Sequence, residues 1–146
     1  MELQISELIA IIACALFAGA AVYINLVEHP ARMESGTALA ATVFPPSYRR
    51  AAVMQVGLAI ISFVSSLFAW YSNSNIGWLV GGLIIISVIP FTFIAIMPTN
   101  KKLLDPNLEK SSSATRELLV SWGKLHAVHS ILSVVSLLIF SCLVVA

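Results

Sequence analysis

Four apolar stretches, roughly Ile9–Val27, Ala51–Trp70, Trp78–Met97 and Leu125–Val145, make up most of this chain. Each has close to the ~20 residues an α-helix needs to cross the hydrocarbon of a bilayer. Backbone in lipid must satisfy its own hydrogen bonds, so each stretch is expected to be helical. Only 10% of the residues are charged and 59% are hydrophobic, against about 25% charged in ordinary soluble domains. The segments between the stretches are too short for a soluble domain. The expected fold class is therefore all-α: an integral membrane four-helix bundle, one domain over 1–146, with helices at about 6–29, 48–71, 77–97 and 117–145.

The placement of charge orients the bundle. All eight cations (Arg32, Arg49, Arg50, Lys101, Lys102, Lys110, Arg116 and Lys124) fall in the first and third connections or at the helix ends facing them. Those connections share one side of the membrane, and by the positive-inside rule both long loops are expected in the cytoplasm and both termini outside. Glu2 and Glu7 stand where a cleaved signal peptide needs basic residues, so the first span reads as a retained helix. The brevity of the loops points to a bacterial inner membrane. The lipid bilayer is the expected partner; no nucleic acid is.

Local signals refine the connections. Tyr71–Gly77 reads as a tight polar turn. Pro45 and Pro46 are expected to break any helix in the first loop, and Pro90 to free the carbonyl of Ile86 and bend the third helix. Ser111–Thr115, followed by Glu117, predicts a capped start to the fourth helix. Each half reads helix, proline-containing basic loop, helix, but "EHPAR" and "MPTNKK" share too little to establish a duplication.

Polar groups inside a membrane are costly and normally face the bundle interior. Asn25, Glu28 and His29 lie at i, i+3 and i+4, one patch on the last turn of the first helix. Tyr48, Gln55, Ser62 and Ser66 follow one stripe of the second. In the fourth, Trp122, His126, His129, Ser133 and Ser136 do the same, while the third supplies Thr92 and Asn100. Topology alone brings the three histidines, Glu28, Asn25 and Asn100 to one depth. The simplest roles for Arg32, Arg49, Arg50, Lys101 and Lys102 are interfacial anchors, and Glu28 is placed to pair with Arg32 at i+4.

Four segments carry a family resemblance: "NLVEHPAR", "YRRAAVMQ", "PFTFIAIMPTNKKLL" and "WGKLHAVHS". Together they resemble DUF1772, the anthrone oxygenase-like family of small four-helix membrane proteins. The resemblance implies oxidation of a lipophilic aromatic substrate, anthrone- or quinol-like, by O2 at a cytoplasmic-side pocket. Histidine, with an unperturbed pKa of about 6.5, suits the base such chemistry needs. On that reading His126 is the base, His29 or Glu28 orients it, and Asn100 stabilises negative charge. Asn25, Tyr48, Gln55, Thr92 and Trp122 then surround the substrate. The same residues allow a second reading, in which His29, His126, His129 and Glu28 hold copper or iron, or a histidine serves as an axial ligand to haem. A third is non-enzymatic: a binding or assembly subunit, homo-oligomeric through the small residues Gly77, Gly81 and Gly82.

Overall fold

The computed structural model describes residues 4–145. Four long helices span them: α1 (Ile5–Glu34), α2 (Thr37–Asn73), α3 (Ile76–Leu103) and α4 (Ser113–Val145). All four are long and apolar enough to cross a membrane, and the chain is an integral membrane protein. Of the residues weighed against a signal peptide, Glu2 lies outside the described range. The helices form an up-and-down bundle in which α1 and α3 each pack against both α2 and α4 and sit diagonally opposite each other.

Short caps join the helices at the end without cations. Asn73 ends α2, Ser74 turns back with φ 58°, and the Asn75 side chain accepts the Gly77 N–H at 3.0 Å to start α3. Glu7 ties this turn to the start of α1, accepting from Asn73 Nδ2 at 2.7 Å. At the other end Gly36, with φ 101°, makes the turn between α1 and α2, a conformation that favours glycine. The Ser112 hydroxyl accepts the Thr115 N–H at 3.1 Å and caps α4, so the cap comes from the serine run without help from Glu117.

The helices extend further toward the basic end than hydropathy suggests, and the first loop shrinks to a turn. Pro45 and Pro46 do not break the chain there: α2 runs through both. Each proline removes a backbone donor, yet Ala40, Ala41 and Phe44 just before them pack on Leu103, Leu119 and Trp122. Tertiary packing outweighs the local penalty. In α3 the regular helix stops at Ser87, within one turn of Pro90, as the freed Ile86 carbonyl implies.

Two five-residue π-turns follow one design. In Ile24–Glu28 the His29 N–H bonds back to Ile24 O, and in Thr92–Ile96 the Met97 N–H bonds back to Thr92 O. With one residue between, His29 or Met97, a proline stands past the end of each, Pro30 or Pro98. A proline ring collides with the carbonyl four residues back in a regular helix, and a widened turn moves that carbonyl aside. The two helices facing each other across the bundle thus carry the same device at the same level.

The half of the bundle away from the cations is closely packed. Trp78 stacks on Phe140 at 5.2 Å, with Phe17, Cys14 and Ile85 around them. Gly77, Gly81 and Gly82, expected to suit subunit contacts, are filled from within the chain. A Cβ at these positions would meet Leu143, Phe140 and Ser66 respectively, each closer than 3.0 Å. Serines tie the helices across this core: Ser62 Oγ donates to Ala10 O at 2.9 Å, and Ser136 Oγ to Gly81 O at 2.8 Å.

Candidate functional site

Below the packed half, toward the basic end, the four helices enclose a cavity of about 210 Å³. Its walls are apolar (Phe17, Ile24, Phe44, Val88 and Ile96 among them), and a few polar side chains converge on it.

The first of these is His126. Its ring lines the cavity and stacks on Trp122 at 4.8 Å, with planes 20° apart. Nδ1 lies 2.7 Å from Asn25 Oδ1. Asn25 donates through Nδ2 to Gly123 O at 2.9 Å, and its Oδ1 also accepts from Ser130 Oγ at 2.8 Å. An amide oxygen only accepts, so Nδ1 of His126 must carry the proton and Nε2 the lone pair. The network, assigned from its hydrogen-bond partners, holds the ring in the tautomer that leaves a free base on Nε2.

The second group is a set of donors with no partner among the described residues: Asn100 Nδ2, Gln55 Nε2 and Arg32 Nε. All three side chains line the cavity, and they are 0%, 8% and 9% exposed. Asn100 is oriented by Trp122, whose Nε1 donates to its Oδ1 at 2.9 Å, so its amide nitrogen is left free. A buried donor without an acceptor costs about 1–3 kcal/mol, and three around one apolar cavity form a surface suited to an oxygen acceptor. Tyr48, stacked on Phe44 at 5.6 Å, lines the same region.

The remaining candidates divide. Thr92 and His129 both line the cavity and pair with each other at 2.9 Å. The Thr92 hydroxyl is already donated to Val88 O, so His129 donates from Nε2 and keeps a lone pair on Nδ1. His29 lies outside the lining: its Nε2 donates to Leu119 O at 3.0 Å. Glu28 pairs with Arg32 at 3.1 Å and accepts from Ser47 Oγ at 3.2 Å. The group that orients His126 is therefore Asn25, in place of His29 or Glu28. The patch expected on α1 is split by its π-turn: Asn25 and His29 face α4, while Glu28 turns to α2.

Gly123 makes the His29 contact possible. A Cβ there would lie 2.7 Å from His29 Cδ2 and 2.8 Å from its Nε2. Gly123→Ala is expected to push the ring off the Leu119 carbonyl and to lower stability to unfolding in SDS by about 1–3 kcal/mol. Loss of the slowly exchanging His29 Nε2 proton in NMR spectra checks that the cause is this contact.

The four proposed metal ligands are not gathered into one set. His126 and His129 each keep one ring nitrogen with a lone pair, but His29 lies outside the cavity lining on Leu119 O and Glu28 is paired with Arg32. Among the described residues no group of three or more His, Cys, Asp or Glu is placed to hold a metal ion. The cavity is also smaller than the roughly 300–1,000 Å³ of pockets for drug-sized ligands, so it does not fit a haem.

Arg32 is the residue that a reading of the sequence passes over. A cation at the end of a span looks like an anchor, but the helix runs on past it and buries it against the cavity. The available signal was its register: it continues the Glu28 face one turn further.

No curated protein and no solved structure matches the chain. The profile of a family described as anthrone oxygenase matches residues 44–139. That segment carries the α2, α3 and α4 walls of the cavity, from Phe44 and Gln55 through Asn100 to His126; Asn25 and Arg32 precede it. With about two thirds of its length matched, the chain belongs to the anthrone oxygenase family.

Proposed function

We propose that the cavity binds a lipophilic, planar hydroxyaromatic or anthrone-like molecule and that the protein oxidises it with O2. The observation that carries this reading is the pairing of a free imidazole nitrogen, held by Asn25, with unpartnered donors around one apolar cavity. The methylene of an anthrone is acidic because its anion is a delocalised aryl oxide. His126 Nε2 takes that proton. Asn100 Nδ2, Gln55 Nε2 and Arg32 Nε hold the oxygen on which the charge develops.

The anion then gives one electron to O2, and the radical pair closes a C–O bond. The resulting peroxide anion recovers the proton from His126. Loss of the second methylene proton to His126 breaks the O–O bond, leaving the carbonyl and a hydroxide that takes the proton as water. One O2 is consumed and one water released per molecule oxidised. Neutral amides suit this role because a donor in a water-poor cavity needs no reorganisation as charge appears. By the positive-inside reading the cavity lies on the cytoplasmic side of a bacterial inner membrane.

Oxygen uptake by the purified protein in liposomes loaded with an anthrone tests the reading. The expected result is saturable uptake with one O2 per quinone formed. Gln55→Leu is close in volume and removes one donor, and it is expected to lower kcat by roughly 10²-fold. No uptake above that of empty liposomes, with either an anthrone or a quinol, removes the proposal.

A further inference from the structure

The cavity is sealed unevenly. Every lining residue from α1 and α4 is buried. The partly open ones all belong to α2 and α3, and two are well exposed: Val56 at 43% and Phe93 at 65%. The helix paths account for this. Above Ser87, α3 packs on both α2 and α4, with Gly82 against Ser66 and Gly81 against Phe140. Below it, past the break near Pro90 and the π-turn Thr92–Ile96, α3 stays on α4, where Thr92 meets His129 and Asn100 meets Trp122, and keeps little contact with α2. A seam between α2 and α3 is left at the level of the cavity. Toward the basic end the cavity is lined by buried Arg32, held by Glu28, and by Ser47, bonded to the same carboxylate.

We infer that the α2–α3 seam framed by Val56 and Phe93 is a lateral opening through which a membrane-dissolved aromatic ligand enters the cavity. The inference rests on the reading of the cavity as a site for a lipophilic ligand. The seam is apolar and faces hydrocarbon, where such a molecule is concentrated by partition, and it admits a flat ring edge-on. Phe93 is the gate: its ring stands at the rim while its neighbour Ile94, 79% exposed, takes no part in the lining.

The test reads access without turnover. In a Cys14→Ala, Cys142→Ser background, Val88→Cys places a thiol on the cavity wall at a position that is 3% exposed and bears no polar contact of its side chain. In liposomes a pyrene maleimide dissolved in the bilayer is expected to label it roughly tenfold faster than a sulfonated, water-soluble maleimide, because partition concentrates the first. Adding Phe93→Trp, or separately Val56→Trp, is expected to slow the pyrene reagent about tenfold by filling the seam. Ile94→Trp is expected to leave the rate unchanged.

Faster labelling by the sulfonated reagent, or equal slowing by all three tryptophans, overturns the opening. No labelling by the pyrene reagent while the protein remains folded by circular dichroism does so too, as when a second copy covers the seam. Labelling as expected without any oxygen uptake keeps the opening and removes the oxidation reading, so the two fail separately.

Discussion

His126→Ala is expected to lower kcat for anthrone oxidation by about 10²–10⁴-fold, the range that a positioned general base contributes. Oxygen uptake in liposomes should fall toward the uncatalysed rate, with the unfolding midpoint in SDS little changed. The fold tolerates the change because Asn25 keeps its bonds to Gly123 O and Ser130 when the imidazole is gone. Undiminished uptake in this variant removes His126 from the mechanism.

Asn25 acts on the same proton from the other side of the ring. It touches His126 but does not line the cavity, so it is a positioning residue. Asn25→Leu removes the acceptor that keeps the proton on Nδ1, and the expected loss in kcat is smaller than that of His126→Ala. The ¹⁵N spectrum of the imidazoles separates this role from mere packing: His126 should show the Nδ1–H tautomer in the parent and a mixture in Asn25→Leu. Asn25→Asp retains two acceptor oxygens and should restore both the tautomer and most of the rate. A packing role alone predicts no change of tautomer.

How much of this was legible depends on the length scale of the signal. The spans were plain because lipid penalises every misplaced polar residue in the same direction, so hydropathy sums coherently over each helix. The shared depth of Asn100 and His126 followed from topology, and the stripes on α2 and α4 pointed inward as their spacing required. The partners did not follow. Nothing local in "INLVE" or "TFIAI" signals an i→i+5 bond; only the proline after each does. The wider π-turn brings i+4 closer to register than i+3, which is why Glu28, inside the turn, leaves the Asn25–His29 face. Pro45 and Pro46 read as breakers because their penalty is local, whereas the compensating contacts of Phe44 and Ala40 come from α3 and α4.

Trp122→Ala is expected to be the most destabilising single change at the site, and the membrane environment decides by how much. Trp122 is 5% exposed, stacks on His126, meets Phe44 edge-on at 5.2 Å and donates to Asn100. In separated helices the indole faces lipid, so the water-to-interior transfer that dominates in soluble proteins largely drops out. The cavity term stays, at about 24 cal/mol per Å³, and removing an indole leaves on the order of 100 Å³, or about 2–3 kcal/mol. The hydrogen bond to Asn100 adds only about 0.6 kcal/mol at the average measured within bilayers. Trp122→Phe, which fills most of the volume and loses the donor, is therefore expected to cost well under half as much as Trp122→Ala in SDS unfolding. Similar losses for the two variants would mean that the Asn100 bond, and not packing around the ring, holds this end of the bundle together.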